Sequence, residues 1–364
     1  MTTKKIICVV GTRPEAIKMA PIILALRADP AFDVKVLATA QHRQMLDQVL
    51  NVFGITPDID FNIMRPNQAL TALTARLLQA FDEVLLQEKP DVVLAQGDTT
   101  TVLTAALACF YHRIDFGHVE AGLRTGDMQN PFPEEMNRVV AGRLARWHFA
   151  PTESSRQNLL KEGVPDNQIF VTGNSVIDAL HSVSSRQPEI GIDLDQSKRL
   201  VLVTAHRREN FGKPFEAICK AVKELVRKNP DIQVLFPVHP NPNVQSVVHA
   251  ELADDPRIIL SQPLDYLPFV GAMQRAYLIL TDSGGVQEEA PALGKPVLVL
   301  RHETERPEAV HAGVVKLIGP NYDAILENAQ ALLDDEALYA SMAKGVSPYG
   351  DGQAARRTVD VLKS

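Results

Sequence analysis

The chain has 364 residues, of which 45% are hydrophobic and 22% are charged, and this supplies enough apolar material for two buried cores of ordinary domain size. Such a composition excludes a largely disordered chain. A net charge of −7 at pH 7 argues against nucleic acid and anionic membranes as partners, because the average field of the protein repels both polyanions.

The first apolar run, residues 6–10, is too short for the hydrophobic region of a signal peptide. The three cysteines, Cys8, Cys109 and Cys219, are isolated in apolar contexts, so we predict buried thiols and neither a disulfide nor a zinc site. Together these features predict a reducing compartment and a cytoplasmic protein.

Short apolar runs alternate with helical patterns along the whole chain. The runs lie at residues 6–10, 34–39, 91–95, 114–118, 147–150, 169–172, 200–204, 232–238, 257–260, 277–281, 296–300 and 314–318. Runs of this kind, separated by helices, predict parallel strands buried on both faces. The predicted fold class is α/β, with two doubly wound Rossmann-like domains facing each other across a cleft.

The periodicity breaks within residues 178–198, which places the domain boundary there. We predict an N-terminal domain over residues 1–180 and a C-terminal domain over 181–346. A Pro- and Gly-containing interruption precedes the last helix, so residues 347–364 are expected to cross back and join the N-terminal domain.

Ligands of open parallel sheets bind beyond the carboxyl ends of the strands, so the residues after each strand are candidates for a site. The first strand is followed by G-T-R-P-E at 11–15, where Pro14 suits the first position of a helix and Arg13 lies at the turn. Lys18 follows one helical turn later. This segment is neither a dinucleotide fingerprint nor a phosphate loop, so no NAD chemistry, ATP hydrolysis or cofactor is expected.

Three carboxylates lie at positions where the fold alone does not require an acidic side chain. Asp98 and Glu120 each follow a predicted strand, and Glu134 follows a proline-rich entry into a helix. The alternatives are a helix cap for Asp98 and a helix-dipole interaction for Glu134. Together, however, three acids above one sheet can act as acid and base on opposite faces of a sugar ring.

Cationic side chains follow the strands of the second half. His206, Arg207 and Arg208 come after one strand, and Arg306 comes after another. Fixed cations of this kind suit a diphosphate leaving group, because they face the negative charge that grows as the bond breaks. A solvated surface is the alternative for any one of these residues, and their repetition makes it a weaker explanation.

The segment T-D-S-G-G at 281–285 ends an apolar run and opens a helix, and this pattern is typical of a phosphate-binding turn. Glu289, further along the helix, suits a bond to a ribose diol. The pattern predicts a nucleotide-linked substrate, although an ordinary Ser/Gly cap on a structural helix also explains it.

The scattered histidines do not form a metal motif, so no metal is expected. The chain also lacks the G-x-S-x-G elbow of serine hydrolases. We interpret Asn174 and Ser175 as the hinge end of a strand and not as a nucleophile.

Over essentially its whole length the chain resembles the bacterial non-hydrolysing UDP-N-acetylglucosamine 2-epimerases. The motifs that carry the resemblance are G-T-R-P-E at 11–15, Q-G-D-T-T at 96–100, H-V-E-A-G-L-R-T at 118–125, P-E-E at 133–135, H-R-R-E at 206–209, S-G-G-V-Q-E-E at 283–289 and E-R-P-E at 305–308. The resemblance implies a glycosyltransferase-B-like fold and a homodimer. It also implies reversible conversion of UDP-N-acetylglucosamine to UDP-N-acetylmannosamine for cell-surface polysaccharide synthesis.

The resemblance also implies residue roles. Asp98, Glu120 and Glu134 are expected to carry acid and base duty, and His206 to support the diphosphate. The residues expected to bind UDP and the sugar are Arg13, Lys18, Phe269, Ser283, Gly284, Gly285, Glu289 and Arg306. Domain 181–346 is then the UDP-binding domain.

Some members of this family bind a second UDP-N-acetylglucosamine as an activator. The residues of this chain that resemble that allosteric site are Gln41, His42, Gln44, Arg207, Glu209 and His239. Asn67 stands where some members place an arginine, which weakens the expectation. Three alternatives to the non-hydrolysing epimerase remain: a hydrolysing epimerase that releases N-acetylmannosamine and UDP, a UDP-sugar glycosyltransferase, and a non-catalytic UDP-sugar sensor.

Overall fold

The structure is a computed structural model, and it describes residues 3–39, 43–63, 68–304 and 306–364, except the side chains of residues 43 and 44. The chain forms two compact units. The first consists of Met1–Ala179 together with Tyr349–Ser364, and the second of Leu180–Pro348.

The first unit is built on a parallel sheet of seven strands. Its strands are β1 (Lys4–Val10), β2 (Phe32–Ala38), β3 (Ile59–Asp60), β4 (Val92–Gln96), β5 (Asp115–Val119), β6 (Trp147–Ala150) and β7 (Ile169–Val171). The helices that follow them are α1 (Arg13–Arg27), α2 (Arg43–Val52), α3 (Leu70–Glu88), α4 (Thr100–His112), α5 (Glu134–Leu144), α6 (Glu153–Lys161) and α7 (Ser175–Ser184). The strand order is β3-β2-β1-β4-β5-β6-β7.

The second unit repeats this architecture with six parallel strands. They are β8 (Arg199–Thr204), β9 (Ile232–Pro237), β10 (Ile258–Ser261), β11 (Ala276–Thr281), β12 (Val297–Val299) and β13 (Val315–Leu317). The helices are α8 (Lys213–Lys228), α9 (Pro242–Leu252), α10 (Tyr266–Arg275), α11 (Gly284–Glu289), α12 (Pro307–His311), α13 (Tyr322–Asp334) and α14 (Glu336–Met342), and α15 (Ala354–Lys363) ends the chain. The strand order is β10-β9-β8-β11-β12-β13.

Each sheet contains the doubly wound order 3-2-1-4-5-6 of the Rossmann fold, to which the first sheet adds β7 at one edge, and this confirms the predicted fold class. The strands form because their side chains are apolar on both faces, and the fully buried Phe116 in β5 and Phe236 in β9 show that both faces are covered by helices. Burying one such side chain stabilises the fold by about 1.5–3 kcal/mol. The three cysteines are buried and free, as predicted.

Helix α1 begins one residue earlier than the sequence predicts. Arg13 is its first residue, and Pro14, expected to be first, is second. The reason is a capping box, in which the Thr12 side chain accepts from the Glu15 N–H and the Glu15 side chain accepts from the Thr12 N–H.

Two sets of backbone bonds attach residues 349–364 to the first unit. The first N–H groups of α15, at Ala354 and Ala355, donate to the Asp178 carboxylate at 3.2 and 2.9 Å. The carbonyl of Tyr349 accepts from the Asn174 N–H at 2.6 Å. None of the helices within the described ranges has the length and apolar character needed to cross a membrane.

The order of strands locates a candidate site in each unit. In a doubly wound sheet, ligands bind where the connections reverse direction, at the carboxyl ends of the two central strands. These points lie after β1 and β4 in the first unit and after β8 and β11 in the second.

Candidate active site

Glu15 connects the two turns at the switch point of the first sheet. Its Oε2 accepts from the N–H groups of Gly11 at 2.6 Å and Thr12 at 2.8 Å, and its Oε1 accepts from the Thr99 hydroxyl at 2.6 Å. Glu15 is buried, and this burial raises its pKa to about 7 although the three donors oppose the shift. The turn after β1 is thereby joined to the turn after β4, which carries Asp98.

Asp98 is not the cap of α4. Thr99 occupies the N-cap position, so the capping alternative for Asp98 is wrong. The Asp98 carboxylate lies 3.7 Å from Arg138 Nε, and Arg138 is itself held by Glu135 Oε2 at 3.0 Å. The side chain of Asp98 therefore points to the space above the sheet, beside a buried cation.

The three predicted carboxylates are close enough to influence one another. Burial, together with the charges of Glu120 and Glu134, raises the pKa of Asp98 to about 6, although Arg138 and Lys18 act in the opposite direction. This electrostatic coupling places Glu120, Glu134 and Lys18 near Asp98. An acid with a pKa near 6 can both accept and return a proton near neutral pH.

Glu120 has an uncommon backbone conformation and is held by three donors. Its φ is +63°, in the left-handed region that costs a non-glycine residue about 1–3 kcal/mol. Its carboxylate forms an ion pair with Lys18 and accepts a hydrogen bond from the Gln96 side chain. Asn174 Nδ2 also donates to it, at 2.8 Å. The side chain is therefore fixed from three separate parts of the chain.

Asn174 is one of these donors and also has two other roles. Its Oδ1 accepts from the Val176 N–H at 3.1 Å at the start of α7, and its own N–H donates to the Tyr349 carbonyl. The sequence suggested only the hinge end of a strand here. The structure instead shows a buried polar link between Glu120, α7 and the segment that leads into α15.

Glu134 is the first residue of α5, where its charge also suits the positive end of the helix. Its neighbour Glu135 is buried and accepts from the N–H groups of Thr125 and Gly126 at 3.0–3.1 Å. Glu135 thus orders the loop after β5, and Glu134 is the acid that contributes to the charge around Asp98.

At the switch point of the second sheet, a fully buried aspartate organises the turn after β8. Asp282 Oδ2 accepts from the N–H groups of His206 at 2.9 Å and Arg207 at 2.8 Å, and from Asn210 Nδ2 at 3.0 Å. Asp282 Oδ1 lies 3.4 Å from His206 Nδ1. The predicted cationic turn is therefore built around an anion.

His206 is the partly exposed histidine of that turn. Its ring stacks on His239, with ring centres 5.4 Å apart and planes at 12°. Burial lowers the pKa of His206, His239 and Arg207 lower it further, and Asp282 opposes the shift. The neighbouring Glu209 pairs with Arg301 at 2.7 Å.

The predicted phosphate-binding turn places Arg306 against its glycine. Ser283 is the N-cap residue of α11, and a Cβ on Gly284 would lie only 2.9 Å from the guanidinium carbon of Arg306. Only glycine leaves room for this approach. Arg306 Nε also donates to Glu288 Oε1 at 2.7 Å, so this cation has an anionic partner from the same short helix.

Glu289 is the last residue of α11, and its Oε1 accepts from the Tyr266 hydroxyl at 3.0 Å. Tyr266 begins α10, the helix that carries Phe269. The bond therefore ties the predicted ribose ligand to the element that carries the predicted uracil neighbour.

The structure describes only some of the residues expected at the allosteric site. Gln41 and His42 lie outside the described residues, and so does the side chain of Gln44. Asn67 also lies outside them. Arg207, Glu209 and His239 lie in the second unit, at or beside the turn that holds His206.

Comparison with known proteins identifies the family. The family model described as UDP-N-acetylglucosamine 2-epimerase matches residues 24–363. This chain belongs to that family. A UDP-N-acetylglucosamine 2-epimerase of Yersinia pestis is 57% identical over 370 aligned residues, covering 99% of this chain and 98% of that protein.

Solved structures agree with this membership. The crystal structure of UDP-GlcNAc 2-epimerase from Neisseria meningitidis bound to UDP-GlcNAc has 46% sequence identity, a TM-score of 0.90 and 99% coverage of both chains. A glycotransferase of kitacinnamycin has a TM-score of 0.66 at 13% identity, covering 100% of this chain and 99% of that one. This distant likeness concerns the fold alone, and it confirms the predicted glycosyltransferase-B-like class.

The residues at these candidate sites that the sequence interpretation missed include Arg138, Asp282, Glu288 and Tyr266. Asp282 had a usable signal, because it directly follows β11 and so lies at a strand end. Glu288 lies in the S-G-G-V-Q-E-E motif, where only Glu289 received a role. Arg138 and Tyr266 lie in ordinary helical sequence, and no local pattern distinguishes them.

Proposed function

We propose that this protein is a non-hydrolysing enzyme that interconverts UDP-N-acetylglucosamine and UDP-N-acetylmannosamine without a cofactor. The observation that carries the proposal is the group formed by Glu120, Glu134 and Lys18 near Asp98 at the carboxyl end of the first sheet. Inversion of one sugar carbon requires a proton to leave one face and return on the other. A group of coupled carboxylates suits this exchange.

The order of bond changes follows from the acidity of the substrate. The hydrogen at C2 has no neighbouring carbonyl, so a carboxylate is too weak a base to remove it from the intact sugar. When the C1–O bond breaks, its electron pair leaves with UDP, and the positive character at C1 makes the C2 proton acidic. Loss of that proton to a carboxylate gives 2-acetamidoglucal.

The return steps complete the isomerisation. A carboxylic acid delivers a proton to the other face of C2, and UDP oxygen adds back to C1. No atom is gained or lost and the two isomers have the same oxidation state, so no oxidant or reductant is required. Among the described residues, no group of three His, Cys, Asp or Glu side chains is arranged to hold a metal ion.

Each unit supplies one part of the proposed chemistry. In the first unit, Asp98 has a pKa near 6 and exchanges protons with sugar C2. Glu120, whose carboxylate is fixed by Asn174 and its other donors, takes part in the same proton exchange. In the second, His206, Arg306 and the N–H groups after Ser283 hold the diphosphate. A donor aimed at developing charge contributes about 3 kcal/mol to transition-state stability. We assign Arg13, Lys18, Phe269, Gly284, Gly285 and Glu289 to binding of UDP and the sugar.

We infer the substrate from the relatives of this chain. The Neisseria meningitidis epimerase binds UDP-GlcNAc, and it shares 46% of its residues with this chain over nearly the full length of both. The Yersinia pestis relative supports the same activity by name.

Proton NMR of UDP-N-acetylglucosamine with the protein in deuterated water tests the proposal. Deuterium at C2 of both nucleotide-linked isomers is the expected result. Free N-acetylmannosamine and UDP as the accumulating products would identify a hydrolysing enzyme instead. An unchanged spectrum until a sugar acceptor is added would indicate a glycosyltransferase, and the Asp98→Asn variant serves as the matched inactive control.

Two further properties of the family are proposed for this chain. The first is a homodimer, for which light scattering at several protein concentrations should give twice the chain mass. The second is activation by UDP-N-acetylglucosamine at a separate site that includes Arg207, Glu209 and His239. Hyperbolic kinetics in the reverse direction, with no stimulation by added UDP-N-acetylglucosamine, would contradict this activation.

A further inference from the structure

Asp282 has one carboxylate oxygen that the turn after β8 does not use. Oδ2 accepts from the N–H groups of His206 and Arg207 and from Asn210 Nδ2. Oδ1 is buried and has no hydrogen-bond partner within the described chain, and His206 Nδ1 lies 3.4 Å from it. A buried carboxylate oxygen without a donor is costly, so a short movement of the imidazole toward Oδ1 is favourable.

We propose that Asp282 is a positioning residue for departure of the diphosphate. Its Oδ1 accepts the Nδ1–H of His206, which orients the imidazole with Nε2–H toward the phosphates, and its charge favours the protonated ring. The inference rests on the role proposed above for His206. Asp282 itself is fully buried and touches no substrate, whereas the His206 side chain is 39% exposed and can reach a ligand.

The charges around His206 explain why it needs an anionic partner. Burial, the stacked His239 ring and the charge of Arg207 all favour the neutral imidazole. Asp282 is the neighbour that favours the cation. A neutral His206 can offer one N–H only, whereas the cation offers one to Asp282 and one to the diphosphate. Asp282 thus favours the charged form of the ring and sets which nitrogen faces the substrate.

The Asp282→Asn variant separates this role from the support of the turn. The amide oxygen of asparagine can take the place of Oδ2 and accept from the two N–H groups of the turn. Its NH₂ group then takes the place of Oδ1 and faces Nδ1. The shape of the turn is retained, and the charge that favours the imidazolium is lost. Asn210→Ser is the matched control, because it removes a donor to Oδ2 and leaves the Oδ1 charge in place.

The first experiment is an NMR titration of His206 in the ligand-free protein, with its signal assigned by comparison with His206→Gln. We expect a lower pKa for His206 in Asp282→Asn than in the wild type, and a pKa close to the wild-type value in Asn210→Ser. An equal pKa in Asp282→Asn and the wild type would overturn the inference. This titration does not depend on epimerase activity, so an inactive wild type would contradict the proposed function and leave the histidine result standing.

The second experiment is a double-mutant cycle on turnover of UDP-N-acetylglucosamine. Loss of one charge-assisted bond predicts that Asp282→Asn lowers kcat about 10- to 100-fold with a small change in KM. If Asp282 acts through His206, the same substitution in the His206→Gln background should lower kcat by less than about twofold. Multiplicative losses in the double variant would overturn the inference, because they would show that Asp282 supports only the turn.

Discussion

The Asn174→Asp substitution changes one atom that faces Glu120. Asn174 Nδ2 donates to Glu120 Oε1 at 2.8 Å, and Asn174 Oδ1 accepts from the Val176 N–H at 3.1 Å. Aspartate keeps an oxygen for Val176 and replaces the donor with a second carboxylate oxygen. The cap of α7 is therefore retained, while the bond that positions Glu120 is lost.

The size of the effect follows from these contacts. A hydrogen bond to a charged group contributes about 1.5–3 kcal/mol, which corresponds to about 10- to 100-fold in rate. Two carboxylates about 4 Å apart also repel each other by ~4 kcal/mol at an effective dielectric constant of 20. This repulsion favours a proton shared between the introduced carboxylate and Glu120 at lower pH, and that proton restores a donor. The variant should therefore approach wild-type activity as pH falls and lose activity as pH rises.

The assay is kcat for UDP-N-acetylglucosamine from about pH 6 to about pH 9, expressed as the ratio of variant to wild type. Asn174→Ala is the comparison, because it lacks both the cap and the donor. It should lose about 1 kcal/mol of unfolding free energy and show an activity ratio that does not vary with pH. A ratio for Asn174→Asp that stays constant with pH and within threefold of unity would refute the positioning role of Asn174.

Three other substitutions test the remaining groups. Arg306→Ala should lower kcat about 100-fold, because it removes a donor to the leaving diphosphate. If steady-state kinetics give a kcat within about twofold of the wild type, Arg306 does not donate to the leaving group. Burial raises the pKa of Asp98 to about 6, so kcat/KM should fall below about pH 6 as this carboxylate becomes protonated. A pH profile without that decrease would contradict the role of Asp98 as the base. A profile that the Asp98→Asn substitution leaves unchanged would contradict it as well. Burial raises the pKa of Glu15 from 4.5 to about 7 in the folded chain, so its contribution to stability is greatest below pH 4.5 and decreases by about 3 kcal/mol as pH rises to 7. Urea unfolding of Glu15→Gln should lack that decrease, and an unchanged pH dependence would contradict the raised pKa.

The strands could be predicted from the sequence because both sheets are parallel and covered on both faces. Each of the twelve predicted runs coincides with a strand, with ends that differ by no more than two residues. The missed strand, β3, has only two residues, Ile59 and Asp60, so it contains no apolar run. It is a strand because it pairs with β2, which is a tertiary contact that no local pattern encodes.

In the candidate site, too, local sequence patterns do not encode tertiary contacts. Asp98, Glu120 and His206 were found because each closely follows a buried strand, and strand ends meet at one edge of a parallel sheet. Asn174 lies 54 positions from Glu120 in the chain, and its amide reaches that carboxylate only because β7 lies in the same sheet as β5. Sequence patterns locate residues relative to their own strand or helix, and they do not show which distant side chain donates to them.

The backbone of Glu120 shows why these distant donors are needed. A glutamate at φ +63° costs about 1–3 kcal/mol, so the turn after β5 would not hold this conformation by its own preference. Lys18 from α1, Gln96 from β4 and Asn174 from the start of α7 all donate to the same carboxylate. Their combined bonds exceed the backbone cost, which allows a strained residue to persist at one position. Glu120 is therefore positioned by the assembled sheet, and a change at any of the three donors should alter the placement of this carboxylate before it alters the fold.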